Sequence, residues 1–324
     1  MTITALGSVA DATQLAGATF INWFNNGNRL AVTSSSRLTL IDTTNKSAPI
    51  VMGTIRDDYR LASAGTPIIN SAGTVAYTTG NGYFSCWSIT GSAPVLLGSY
   101  FFGYGGRHLT PLYGNYIYLT RSGRSIDIVD VSNPASPTSA AIPSLMAPND
   151  PGSFDLGGII ILGTRLFINV NKTGVDVWDL ATNPLAPTFV RTTTGTPNIN
   201  IYGKFATFDV DEVAVSSGPR LWRMDETQVV NTTQTSQASN FGIIGERYAI
   251  LLIDGNSAFQ VIDMETNNQV EFSGHTGLAN GYGVAVYKNW AAGSSSSLNS
   301  VTIYDVSEYN TLPSDGWQVG GVAL

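Results

Sequence analysis

The chain has 324 residues and a net charge of -7, and only 12% of its residues are charged, about half the share found in ordinary soluble proteins. Its 16 Lys and Arg are scattered, so they form no basic stripe for a phosphate backbone, and nucleic acid is not an expected partner. Cys86 is the only cysteine, which excludes an intrachain disulfide and a Cys-based zinc site and leaves a thiol that reads as buried and inert.

The N-terminal stretch lacks the basic and apolar regions of a signal peptide. No run approaches the ~18 to 20 apolar residues of a membrane span, the most apolar being Gly157 to Leu166. The expectation is a chain made in the cytosol, with no membrane insertion. The stretch Ile3-Thr-Ala-Leu-Gly-Ser-Val9 does have two close relatives downstream, Pro49-Ile-Val-Met-Gly-Thr-Ile55 and Pro94-Val-Leu-Leu-Gly-Ser-Tyr100.

A six-residue phrase recurs seven times. It begins at Arg37-Leu-Thr-Leu-Ile-Asp42 and Tyr83-Phe-Ser-Cys-Trp-Ser88, and continues with Ser125-Ile-Asp-Ile-Val-Asp130 and Gly174-Val-Asp-Val-Trp-Asp179. Arg220-Leu-Trp-Arg-Met-Asp225, Ala258-Phe-Gln-Val-Ile-Asp263 and Ser300-Val-Thr-Ile-Tyr-Asp305 complete it. Its last residues lie 46, 42, 49, 46, 38 and 42 positions apart, a period that belongs to solenoids, propellers and arrays. Around each phrase runs the same order of strand, turn, strand, turn, phrase, Pro-marked turn and fourth strand. In the third unit the strands are Leu109 to Tyr113, Tyr116 to Thr120, Ile126 to Val131 and Thr138 to Ile142, an antiparallel meander.

The turn after the phrase reads Asp130-Val-Ser-Asn-Pro-Ala-Ser-Pro137 or Asp179-Leu-Ala-Thr-Asn-Pro-Leu-Ala-Pro187. An Asp there can accept a backbone N–H two residues on, and proline ends the ladder, so the repeated Asp reads as structural. Apolar groups on both faces of Ile126-Asp-Ile-Val-Asp-Val131 and Phe259-Gln-Val-Ile-Asp-Met264 bury the strand on two sides. A sheet packed on both faces is a propeller blade. The expected fold is all-β, a seven-bladed β-propeller of four-stranded antiparallel blades, and residues 1–324 form one domain.

Within it, residues 1–12 supply an outer or closing strand, while residues 307–324, with Trp317-Gln-Val-Gly-Gly-Val-Ala323, offer a competing outer strand or a tail. Eight outer strands for seven sets of inner three leave two outcomes. Both ends pack on the last blade, or one pairs with another molecule by strand addition.

The phrase and its tail, in Ile126-Asp-Ile-Val-Asp-Val-Ser-Asn-Pro-Ala-Ser-Pro137 and Val175-Asp-Val-Trp-Asp-Leu180, resemble the LVIVD repeat of bacterial and archaeal propellers and, more loosely, WD40 repeats. The Trp-Asp pair occurs once and no Gly-His pair precedes it at WD40 spacing. The resemblance covers nearly the whole chain and implies a propeller used for binding rather than chemistry.

Catalytic signatures are sparse. His108 and His275 precede the first strands of units three and seven, too far apart around a ring to share a metal. Asp209-Val-Asp211-Glu212 lacks the oxygen spacing of a calcium loop. No Gly-x-Ser-x-Gly elbow or phosphate loop occurs, and Ser314-Asp-Gly-Trp317 matches only part of a sialidase Asp box, once. No cofactor and no metal are expected, and no acid, base and nucleophile assemble.

The distinctive loops are Arg56-Asp57-Asp58-Tyr59-Arg60 and the segment holding Phe101, Phe102, Tyr104, Arg107 and His108, on one rim of adjacent blades. Tyr and Arg are favoured in interface anchors, which makes these residues the expected partner-binding patch. The expected function is a non-enzymatic structural or interaction propeller, a subunit of an assembly such as a virion in a decoration, capsid-associated or tail role. A carbohydrate- or receptor-binding propeller is the alternative. A hydrolase or lyase at the channel mouth is the third reading and has the fewest candidate groups.

Overall fold

In this computed structural model the residues described are 2–103, 109–110, 112–121, 125–140, 156–170, 174–194, 199–202, 205–208, 220–223, 228–231, 238–245, 247–253, 257–263, 266, 268–278 and 281–310. They form seven antiparallel sheets and no α-helix. Blade one is Phe20–Phe24, Arg29–Ser34, Arg37–Asp42 and Ile50–Arg56, and blade two is Ile68–Ile69, Val75–Gly80, Tyr83–Ser88 and Val95–Phe101. Blade three is Tyr116–Arg121, Ser125–Asp130 and Thr138–Ala140. Blade four is Leu156–Leu162, Arg165–Val170, Gly174–Asp179 and Thr188–Thr194, and blade five is Ile199–Tyr202, Phe205–Phe208, Arg220–Arg223 and Gln228–Asn231. Blade six is Ala238–Ile244, Tyr248–Ile253, Ala258–Asp263 and Asn268–Gly274, and blade seven is Gly281–Tyr287, Trp290–Ser295, Ser300–Asp305 and the N-terminal Thr4–Ala10. In blade three, Leu109 and Tyr113 make isolated bridges rather than a first strand, and Pro111 between them has no N–H to give a ladder.

The phrases are the third strands. Ala258–Asp263 is buried along its whole length, and Arg37–Asp42 and Tyr83–Ser88 are buried at every interior position. Such strands have no solvent face, so the core lies between blades rather than within one. Ile21, Trp23 and Leu30 of blade one pack with Ala285, Tyr287 and Ile303 of blade seven. Phe24 and Leu40 pack with Ile69 and Trp87 across the joint of blades one and two. The same arrangement holds between blades two and three, three and four, and six and seven. First strands of neighbouring blades also touch, which sets them around the axis of the β-propeller.

Thr4–Ala10 pairs antiparallel with the last phrase, from Thr4 opposite Asp305 to Ala10 opposite Ser300. The N-terminal strand therefore completes blade seven of its own chain rather than a sheet of another molecule. The expected C-terminal strand lies outside the described residues.

The turns after the phrases of blades one, three, four and seven follow one design. Thr44 N donates to Asp42 Oδ1 at 2.7 Å, Ser132 N to Asp130 Oδ1 at 2.8 Å, Ala181 N to Asp179 Oδ1 at 3.3 Å and Ser307 N to Asp305 Oδ1 at 2.8 Å. The repeated Asp is thus the Asx cap of a turn. In blade six Asp263 receives Arg247 Nε at 3.0 Å and Nη2 at 2.5 Å.

These turns meet a second repeated feature. The outer strand slips register by one residue between the fourth and fifth residues of the phrase in blades one, two, four, six and seven, a recurrent β-bulge, and two residues earlier in blade five. Beside the slip in blades seven, one and two stand Gly7, Gly53 and Gly98. A methyl group on them would lie 2.5 Å from Ser47 C, 2.8 Å from Ser92 O and 2.5 Å from Ala135 O, all atoms of the next blade's turn. Glycine is required because backbone meets backbone there.

Gly98→Ala is therefore expected to cost about 1–3 kcal/mol of stability, as overpacking does. Gly274→Ala, where a methyl group meets nothing within 4 Å, is expected to be near neutral. Urea unfolding of the two variants beside the wild type checks the contrast.

Candidate functional site

The loops that enter blades one and two share a capped turn. In the first, Asp11 Oδ1 accepts Thr13 N at 2.8 Å and Gln14 N at 2.7 Å, and Leu15 is fully buried below. In the second, Asp57 Oδ1 accepts Tyr59 N at 2.9 Å and Arg60 N at 2.8 Å, with Leu61 fully buried. Asp57 is thus a structural cap. Burial works to raise its pKa, but the bonds from the Arg60 backbone and guanidinium and from Tyr59 N outweigh it and hold the carboxyl below the usual range.

With the turn fixed, Arg60 becomes a strut. Its Nη1 lies 2.9 Å from Asp57 Oδ2, its Nε donates to Ser99 Oγ at 3.2 Å, and its guanidinium sits 5.5 Å from the Tyr83 ring centroid. Arg56 and Asp58 pair at 2.9 Å in the open. Both arginines therefore meet their counter-charges within the loop.

Three aromatic rings run along this edge of blade two. Tyr83 opens the third strand and stands opposite Phe101 at the end of the outer strand, with ring centroids 4.9 Å apart. Tyr59 meets Tyr83 edge-on at 6.1 Å. Tyr59 is 66% exposed and Phe101 50%. The hairpin Asn81-Gly82, left-handed at both residues (φ 46° and 81°), makes the tight turn that brings Tyr83 to the rim.

The expected patch is only partly assembled. Arg56, Asp57, Asp58, Tyr59, Arg60 and Phe101 come together on one rim. Phe102 does not join them: strand alternation turns it inward, where it is buried against the core between blades two and three. Tyr104, Arg107 and His108 lie outside the described residues. Tyr83 joins the edge although it belongs to the repeated phrase. The signal was there, since the other phrases open on Arg, Ser, Gly or Ala.

Among the described residues, no group of three or more His, Cys, Asp or Glu gathers as a metal site would require. Cys86 is buried, and burial pushes its thiol up to about 12. His275 is half-buried between Phe259 and Tyr304, at 5.5 and 4.9 Å, with its Nε2 3.0 Å from Ser273 Oγ. Burial lowers its pKa, opposed by the Glu271 carboxylate.

Residues 111–142 match the LVIVD repeat. The Swd1 β-propeller domain of Myceliophteria thermophila is similar in structure, with a TM-score of 0.74 at 10% identity over 94% of this chain and 100% of that one. Kuenenia stuttgartiensis hydrazine synthase is similar with a TM-score of 0.70 at 13% identity, over 90% of this chain and 96% of that one. Among curated proteins no sequence matches. The likenesses establish the β-propeller fold.

The His275 environment has a pH consequence. Its folded-state pKa lies below the ordinary 6.5, so the unfolded chain binds a proton first and stability falls as pH drops through that value toward the lowered one. Thermal unfolding between about pH 7.5 and about pH 5.5 is expected to show this fall, and His275→Phe to flatten it. Asp11, Asp42 and Asp57, whose pKa values lie below 3.8, lose their contribution only at lower pH.

Proposed function

We propose that this chain is a non-enzymatic interaction propeller, a subunit of a larger assembly such as a virion, and that it engages a protein partner through the Tyr59–Tyr83–Phe101 edge of blade two. The observation that carries the reading is this row of exposed rings, 66% and 50% open at its ends and braced from behind by Arg60. Rings held rigid at a surface lose little entropy on binding and act as interface anchors. Because Asp57 and Asp58 neutralise Arg60 and Arg56, the edge draws on apolar contact more than on charge. Low overall charge, 12% of residues, agrees with a protein that works packed among others. The hydrazine synthase likeness, at 13% identity, carries fold alone and brings no catalytic residue with it.

A photo-crosslinking residue at Tyr59, in the full chain made in its native setting, tests the reading. A discrete polypeptide adduct, lost in the Tyr83→Ser/Phe101→Ser variant and absent when the probe sits at Thr90 on the opposite rim, is the expected result. Equal adducts from both rims, or none from Tyr59, would overturn it.

A further inference from the structure

The third strand of blade seven, Ser300–Asp305, is buried at five of its six positions, and the slot beside it is filled by Thr4–Ala10 from the other end of the chain. In the other blades the outer strand follows its own phrase. Blade seven is therefore the place where a strand has been taken out of the repeat order.

Blades one, two and seven show what an outer strand must bring to its slot. A buried residue stands first, Pro49, Pro94 or Ile3, and four positions later comes the glycine, Gly53, Gly98 or Gly7, that the next blade's turn presses upon. In blade seven the anchor Ile3 packs with Tyr248, Val306 and Tyr309, and a methyl group on Gly7 would lie 2.5 Å from Ser47 C and O. The segment Trp317-Gln-Val-Gly-Gly-Val-Ala323 carries the same two features, apolar Trp317 first and Gly321 four positions later. It also comes after the last phrase and its turn, where the repeat order puts the outer strand. Neither it nor Thr4–Ala10 contains a charged residue.

The present occupant is held lightly. Thr4–Ala10 is exposed or half-buried throughout. Its entrance bonds, Thr2 N to Glu308 Oε2 at 2.8 Å and Ile3 N to Glu271 Oε2 at 3.0 Å, come from backbone N–H groups, which every residue except proline supplies. Glu308 stands at that entrance, as does Tyr309, whose hydroxyl donates to Glu271. The chain leaving Asn310 therefore starts beside the slot. Trp317 follows seven positions later, a reach of up to about 23 Å, and a strand starting there enters from the Asp305 end, in the direction Thr4–Ala10 takes.

We propose that the outer slot of blade seven is an exchange site for two segments of one chain, Thr4–Ala10 and, in its place, residues 317–323, whose entry sets the N-terminal strand free. Two packings of one sequence that compete for a single site make a two-state element. The blade stays complete in both.

Hydrogen exchange of full-length variants, read by mass spectrometry, tests this. Gly7→Val should drive Thr4–Ala10 out, so that its amides exchange roughly tenfold faster or more, while those of Ser300–Asp305 stay as protected as in wild type because the other segment covers them. Gly7→Val/Gly321→Val bars both occupants and should expose Ser300–Asp305 as well. Trp317→Ser/Gly321→Val removes the competitor, and Thr4–Ala10 should then exchange several times more slowly than in wild type. That last variant keeps the closing strand and all its contacts, so it reads the competition even where Gly7→Val fails to fold. Ser300–Asp305 as unprotected in Gly7→Val as in its double variant, Thr4–Ala10 as protected in Gly7→Val as in wild type, or unchanged exchange of Thr4–Ala10 in Trp317→Ser/Gly321→Val would overturn the proposal.

Discussion

Among the described residues the blades carry buried apolar groups on both faces, and the other features follow from that constraint. A blade with Leu38, Leu40 and Ile41 fully buried cannot hide them by itself, because the groups covering one face belong to the preceding blade and those covering the other to the next. A linear array would leave two wet ends. A ring leaves none, and this is the physical reason why the first strand of the chain must return to the last blade. The closing strand itself is mostly exposed, with Ile3 just before it buried, so it contributes through ladder bonds and position more than through apolar burial.

Closure uses different contacts from the other joints. At the seven–one joint Gly7 takes the turn at Ser47, as Gly53 and Gly98 take theirs. Lys46 in that turn also lies over the Trp290 and Trp23 rings at 4.2 and 5.8 Å. Burial lowers its pKa, and Asp42 partly offsets this. At the six–seven joint no glycine is available, because Glu271 stands opposite Val261 where blades one, two and seven have Gly53, Gly98 and Gly7. Its carboxylate accepts Ile3 N at 3.0 and 3.1 Å and the Tyr309 hydroxyl. Burial first, and Glu271 second, raise the pKa of that hydroxyl. One side chain thus ties the outer strand of blade six to both the beginning of the chain and the turn after the last phrase.

Those joints also explain what could be read in advance. Ile3 to Val9 looks like Pro49 to Ile55 and Pro94 to Tyr100 because all three carry a glycine that a neighbouring turn presses upon, and a backbone contact of that kind leaves a residue type in the sequence. The capping Asp is legible for a similar reason, since one side chain satisfies one N–H at a fixed offset. Tyr83 was not legible. Tyr83 acts through a neighbour 24 positions earlier, Tyr59. Contacts across blades have no period in the chain. Phe102 erred in the opposite direction, since a run of aromatics reads as one patch while strand alternation sends adjacent side chains to opposite faces.

The ring therefore separates support from recognition. Residues that repeat, the phrase Asp, the bulge glycines and the buried leucines, are consumed by the joints and leave the surface almost free of chemistry. What is particular to this chain lies where the repeat is broken: Tyr83 opening a phrase and Tyr59 in a capped loop. Each sits at the end of a strand held on both faces, so it is positioned by a core that it does not itself help to build. A rim residue can then change with little loss of stability, which allows the scaffold to carry an aromatic edge without disturbing the joints between blades.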